Sequence, residues 1–481
     1  MIIVVIICVA LGILILKYVF SGSGPNLFET DTREPLKEMV HDRKERKKVL
    51  KQGFLASKVP ENLDAIIIGS GVGGLGLAVL LAKVGKKVLV LEQHGRAGGC
   101  SHTFTEKSFE FDVGIHYIGD LLDHKPFRCM LDSMTNGQLQ WEPLENPYDQ
   151  VVLGPPENRR QYPIYSGRTR FPEELKKCFP GEEKAIDEYL RLVKVHCGFM
   201  ASGVSVMKGQ EEVHIRAPMV ISNAGIFNTY QLLPKELQTM PAIQWQLSMM
   251  KNGIGGLSVF VGLNGTKEEL GLKANNYWIF AENNFDELLE KYLNAKREES
   301  AKSVPLLVVS SPSTKDPTSE ERSPGKSTLS LISFANYKWF EEWKDGKVTN
   351  RPAEYKELKQ AFIDSTLEVV MGVFPKITRD KVEYIDAGTP ITNTHYIRTP
   401  KGEFYGADHG IARFSPELGA TLRPQTPLKN LYLTGQDLFV CGFAGALAGA
   451  LTCGSVILNR NLHLDTIALA KKLMNDKLKG E

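Results

Sequence analysis

Gly69, Gly71 and Gly74 stand in GxGxxG spacing inside the run Asp64–Glu92. Glycines so placed allow a tight turn, let the backbone approach a pyrophosphate, and let a helix pack closely on a strand. Gly73 adds another residue without a side chain to the first helical turn, whose N–H groups can point at phosphate oxygens. Glu92 follows Gly74 by eighteen residues, where a carboxylate can accept both ribose hydroxyls of an adenosine and would repel a 2′-phosphate. The chemistry implied is the holding of a dinucleotide. A second set lies far along the chain, with Gly435 and Asp437 in Leu433-Thr434-Gly435-Gln436-Asp437 and Gly442 opening a small-residue run to Ala450. Such a run suits a helix whose backbone comes close to a ligand or to another helix.

These residues need particular elements around them. Ala65–Ile68 and Val88–Leu91 are apolar enough for strands, and about Gly73 to Lys83 reads as the helix between them, a βαβ opening. A lone GxGxxG says little, but one set between two predicted strands with the acid at this distance is specific. Met219–Ser222 before Asn223-Ala224-Gly225, and Asn430–Leu433 before Thr434, read as further strands. The nucleotide domain is therefore expected to assemble from three separated pieces.

Beyond Glu92 come Arg96, Gly98 and Gly99, and then Phe111-Asp112-Val113-Gly114-Ile115-His116-Tyr117. With Asn223-Ala224-Gly225, Thr389-Pro390, Gly402-Glu403-Phe404-Tyr405-Gly406 and the Thr434–Asp437 turn, these segments resemble the FAD-dependent amine oxidase and phytoene desaturase superfamily. Within it they resemble the carotenoid and retinoid oxidoreductases, from about Pro60 to about Leu462. The resemblance implies an α/β fold, with an FAD-binding Rossmann-like domain of glutathione-reductase type and an α+β substrate domain. It implies FAD bound by Gly69, Gly71, Gly73, Gly74, Glu92, Arg96, Gly98, Gly99, Gly435, Asp437 and Gly442, with Asp437 holding a ribityl hydroxyl or a water by the pyrophosphate. The implied activity is saturation of the 13,14 double bond of all-trans-retinol at the endoplasmic reticulum membrane, on an apolar retinoid. No second GxGxxG is present, so NADPH or NADH would visit transiently or a redox partner protein would reduce the flavin. A carotenoid desaturase or isomerase would share every cofactor residue. Family members also carry a long Gly-rich segment where His196–Ser202 joins the flanks directly, so the chain looks internally shortened, and a catalytically silent form is the third alternative.

No signature fixes the proton donor. Tyr117, His116, His395, Tyr396 and Tyr405 are candidates, and a hydrogen-bonded structural role is the plainer reading of His116. Tyr277, Trp278, Phe280, Trp339, Phe340 and Trp343 could line an apolar tunnel, although core packing is the plainer reading.

Over the 481 residues, 58 basic against 56 acidic side chains give a net charge of +2, which offers no field for nucleic acid. Seven scattered cysteines, none in CxxC spacing, give neither a disulfide framework nor a metal site. Met1–Leu16 carries no charge, and with Lys17 snorkelling the apolar run of about 20 residues fits either a membrane anchor or a cleaved signal. The basic cluster Arg43–Lys51 fits a solvated linker or a patch on anionic lipid. The boundaries expected are an anchor or signal over 1–20, a charged linker over 21–60, nucleotide-domain pieces at 61–120, 201–228 and 426–465, substrate-domain pieces at 121–200 and 229–425, and a charged tail over 466–481.

Overall fold

The computed structural model describes residues 22–38, 40, 45, 53–119, 121–122, 125–154, 159–165, 203–208, 211–419 and 421–480. The apolar run 1–20 and the junction at 196–202 lie outside the described residues. In chain order the strands are β1 (Ala65–Ile68), β2 (Val88–Leu91), the hairpin β3 (Thr103–Glu106) and β4 (Phe109–Asp112), β5 (Asp149–Leu153), β6 (Arg160–Ile164), the hairpin β7 (Gly203–Lys208) and β8 (Glu211–Arg216), and β9 (Met219–Ser222). There follow β10 (Gly256–Asn264), β11 (Asn276–Phe280), β12 (Leu306–Ser310), β13 (Lys326–Phe334), β14 (Val382–Gly388) and β15 (Leu431–Leu433). The helices that matter for the site are α1 (Val72–Lys83), α2 (Pro126–Thr135), α3 (Ala353–Val373), α4 (Gly442–Ile457) and α5 (Leu462–Gly480).

One sheet is wholly parallel, in the order β15-β9-β1-β2. Its inner strands β1 and β9 are mostly buried and its edge strand β2 is half-buried, and helix α1 packs on it with α4 against α1. Small residues let α4 approach: a Cβ on Gly76 of α1 would lie 2.7 Å from Leu447 of α4. The second sheet has seven strands in the order β14-β10-β13-β12-β11-β5-β6, antiparallel except for the β5–β11 pair. Its apolar face and helix α3 form the largest core, with Phe340, Phe362 and Tyr355 at its centre. The β3–β4 hairpin joins the two layers, with Phe104 edge-on to Phe260 of β10 at 4.9 Å and Phe109 lying over Gly262.

Three of the expected boundaries move. Helix α2 falls inside the stretch expected to start the substrate domain, yet Cys129, Met130 and Leu131 are buried in the parallel-sheet core beside Leu77 and Leu81. The supposed charged tail is helix α5, whose Leu469 and Ala470 are buried in that same core. In the stretch expected to be a linker, Phe28 is buried there too. In α5 charge on one helical face hid an apolar stripe, Phe28 is a single apolar residue in a turn among polar neighbours, and the short α2 shows which sheet it packs on only in the fold.

Trp339 and Phe340 are core residues, and Tyr277, Phe280 and Trp343 pack against neighbouring rings. Trp278 differs, because its indole N–H donates to Asp149 Oδ2 at 3.2 Å.

Candidate functional site

The parallel sheet brings the separated motifs together at the carboxyl ends of its strands, where ligands bind in open α/β sheets. Gly69 N–H donates to Leu91 O, Asn223 N–H to Ile68 O, and Thr434 N–H to Ser222 O, so the ends of all four strands are tied edge to edge. A Cβ on Gly73 would lie 2.7 Å from Gly435 Cα and 2.6 Å from Asn223 Oδ1. One on Gly99 would lie 3.0 Å from Gly71 Cα. The turn, the Arg96–Gly99 segment, the Asn223 turn and the Gly435 turn thus converge on one spot.

Several groups there are poised for a ligand. No side chain caps the amino terminus of α1, so its first amides face outward from the turn. Thr434 Oγ1 and Arg413 Nη1 are buried without a partner among the described residues. These features fit a dinucleotide, whose pyrophosphate and hydroxyls need donors brought close by backbone.

Ser70 organises the ribose side. Its N–H and hydroxyl donate to Glu92 Oε2 at 3.1 and 2.6 Å, and its Oγ accepts from Gly98 N–H at 3.0 Å. Burial pushes the Glu92 carboxyl up, but hydrogen bonds from Ser70 and His94 outweigh it and hold the group below the ordinary carboxylate range. Glu92 is therefore an anion at neutral pH whose Oε2 accepts from Ser70 and whose Oε1 accepts from His94 N–H with the His94 ring at 3.0 Å, so a ribose hydroxyl would replace one of these partners. Arg96 stands close enough to His102 for its charge to help disfavour the imidazolium. Replacing Glu92 with Ala is expected to weaken flavin nucleotide binding about tenfold or more, since charge-assisted hydrogen bonds are each worth about 1.5–3 kcal/mol; fluorescence titration of the apoprotein measures it.

Asp437 is nearly buried, and its Oδ2 accepts Ile226 N–H at 2.9 Å. Its own carbonyl accepts from Arg413 Nη2. The aspartate thus locks the Asn223-Ala224-Gly225 turn to the final strand. Gly442 N–H donates to Gln436 Oε1 at 2.9 Å, which fixes the entry to α4.

A second polar cluster lies where the chain leaving β4 meets the large sheet. Lys315 Nζ donates to His116 O at 3.0 Å, to Ser310 Oγ at 2.7 Å and to Asn276 Oδ1. Tyr117 Oη donates to Asp149 Oδ2 at 2.9 Å, and Asn276 Nδ2 to Asp149 Oδ1 at 3.0 Å. Burial pushes Lys315 down to about 8, opposed by Asp112 and Asp149, and pushes Asp112 up to about 6, opposed by Lys315. Burial, then the Asp149 charge and hydrogen bond, raise the Tyr117 phenol well above its ordinary value. Lys315 and Asp149 carry no mark in the sequence, each being one charged residue in an unremarked stretch, and Asp112 lies in the Phe111–Tyr117 segment without a role of its own.

The structure divides the five proton-donor candidates. Tyr405 stands near enough to Tyr117 to add to the rise of its phenol, and the Tyr405 phenol is itself raised by burial and by Cys441 and Cys100, at the start of α4 and beside the dinucleotide turn. His116 is next to Tyr117. His395 and Tyr396 lie elsewhere: the His395 carbonyl contacts His94 Nε2 at 3.0 Å, on the ribose side.

His116 departs from expectation. Both ring nitrogens are buried without a partner among the described residues, and Asp112 stands 3.9 Å away. Burial, with the Lys315 charge, pushes it down to about 4, so the ring is neutral at pH 7. The unfolded chain takes up this proton near pH 6.5 and the folded chain only near 4, so acidification through that window destabilises the fold. Between pH 7 and 5 the loss from this group is about 2 kcal/mol, at 1.36 kcal/mol per unit. Urea denaturation of His116→Leu is expected to lack that loss. Asp112 has the opposite sign below about pH 6 and is common to both proteins.

A family model described as an NAD(P)-binding Rossmann-like domain matches residues 67–133. The all-trans-retinol 13,14-reductase of Danio rerio is 56% identical over 598 aligned positions, covering 98% of this chain and 98% of that protein. That of Rattus norvegicus is 39% identical, covering 96% of each. An alignment of 598 positions is longer than the 481-residue chain, so it includes stretches of the relative with no counterpart here. Among solved structures, an oxidoreductase from Methanosarcina mazei superposes with a TM-score of 0.50 at 13% identity, over 82% of this chain and all of that one, a likeness of fold.

Proposed function

The chain belongs to the all-trans-retinol 13,14-reductase family, and from that premise we propose that it is an FAD-dependent oxidoreductase saturating the 13,14 double bond of all-trans-retinol. The observation that carries this is the convergence of Gly73, Asn223 and Gly435, three distant segments within contact of one another at the mouth of the parallel sheet. Glu92 would hold the ribose, the α1 amides and the Gly98–Gly99 backbone the pyrophosphate, and the Gly435–Gly442 stretch the flavin end. The chemistry FAD would supply there, when bound and reduced, is a hydride for one carbon of the double bond.

The neighbouring carbon then needs a proton, so that hydride and proton together add the two hydrogens of the saturated product. Tyr117 would serve here by turning its O–H from Asp149 Oδ2 to the substrate carbon, and the Lys315 ammonium, 5.6 Å from the ring centre, would balance the phenolate that burial and Asp149 disfavour. Lys315 balances the Asp112 and Asp149 carboxylates and pins the backbone at His116, which positions Tyr117. Reduced nicotinamide from solution would regenerate the flavin. The apolar run 1–20 supports a place at the endoplasmic reticulum membrane, from which a retinoid could enter without crossing water.

The test is to purify this chain, record its flavin spectrum, and analyse products from all-trans-retinol beside a carotene. The same assay is run on a version with the absent internal segment restored. A yellow protein yielding 13,14-dihydroretinol is expected. A colourless protein, or a yellow one that converts only carotene, overturns the proposal.

A further inference from the structure

Helix α5 is apolar on two opposite faces. One face, with Leu462, Leu469 and Ala470, is buried in the parallel-sheet core. The other carries Leu464, Ile467, Met474 and Leu478, exposed by 42%, 39%, 38% and 66%. Their spacing of three, seven and four residues keeps them on one stripe of the helix. Lys471 lies within this stripe, and Lys472, Lys477 and Lys479 are exposed around it, against one exposed acid, Asp476.

The amino-terminal strap ends at the root of this helix. Ser23 and Gly24 N–H both donate to Asn459 O, Asn459 Nδ2 donates to Ser23 Oγ, and Arg460 Nη1 donates to Gly24 O. Arg460 in turn grips Asp465 of α5 at 2.8 and 2.9 Å. Residue 22 is thus held within one turn of the start of α5, so the apolar run that precedes it in sequence joins the described chain there.

We propose that the outer face of α5 is a membrane-docking surface, lying in the headgroup region of an anionic bilayer close to where residue 22 is held. None of the described helices is long and apolar enough to cross a membrane, and the outer stripe suits one lying in the interface plane, apolar side chains inward and lysines at the phosphates. Helix α5 therefore sets how the nucleotide domain sits on the bilayer. This rests on the membrane placement proposed above, and the experiment separates the two.

The full chain is made with a photo-reactive benzophenone amino acid at Ile467 or Leu478, mixed with vesicles of phosphatidylcholine and phosphatidylserine, floated and irradiated. The control position is Glu357, exposed on α3 over the other core. Lipid adducts at 467 and 478 but not at 357 are expected, falling about tenfold without phosphatidylserine, as for several lysines near an anionic surface. Protein that does not float sinks the membrane placement. Protein that floats but crosslinks at 467 and 478 to its own residues 1–20, to a second copy, or to nothing overturns the docking surface alone.

Discussion

Protein carrying Gly74→Val is expected to purify without bound flavin, its affinity lowered about a hundredfold or more. The Cβ of any residue at 74 would lie 2.2 Å from the carbonyl oxygen of Gly69. That oxygen belongs to backbone held by the Gly69 bond to Leu91 O, so no side chain can rotate aside. Relief must come from moving α1 away from the sheet, at a typical overpacking cost of about 1–3 kcal/mol or more. The helix amides then leave the place where a pyrophosphate would lie. Gly71→Ala separates this from misfolding, because its added carbon meets only the Asn223 side-chain amide, at 2.9 Å. It should keep the far-ultraviolet circular dichroism of the parent while losing visible flavin absorption. Retained flavin in both variants would mean that the turn does not face the cofactor.

Lys315→Met is expected to keep its flavin and lose about a hundredfold in retinol turnover. Removing one partner from a buried charge cluster costs about 3–5 kcal/mol when the remaining charge stays. Here Asp112, already pushed up to about 6 beside the lysine, is freed to rise further and take a proton, so about 2 kcal/mol is expected in urea denaturation. The larger effect is on rate, because the His116 carbonyl loses its anchor and Tyr117 its fixed direction. The pH profile tells positioning from simple damage. In the parent, Lys315 loses its charge as pH rises through about 8, so turnover should fall there. Lys315→Arg keeps the charge at that pH and should recover part of the rate without the alkaline fall. Equal profiles for parent and arginine variant would remove Lys315 from the mechanism.

The contrast between these two sites shows what a single sequence makes legible. The turn at Gly69–Gly74, Glu92 and strands β1 and β2 can be read directly, because their physics is local: a strand, a turn and a helix within thirty residues fix one another's meaning. The Gly435–Asp437 return is readable only because a strand ending in Thr-Gly-Gln-Asp has a known use in the family it resembles. Lys315 carries no such mark. Its partners His116 and Asn276 lie 199 and 39 residues away, and only the seven-stranded sheet brings them together. The same limit hid helix α5, where lysines in the sequence outweighed an apolar stripe that matters only once α2 and α4 are beside it.

The parallel sheet has a consequence for how this protein is born. Its inner strand β9 must wait for β15, and the bond from Ile226 to Asp437 spans 211 residues. During synthesis the ribosome releases the whole seven-stranded sheet while the nucleotide domain still lacks its last strand. Closing so long a loop is entropically costly unless the intervening chain has already compacted. The seven-stranded sheet would then act as a folded spacer holding β9 ready, and the cofactor could enter only after translation has passed helix α4.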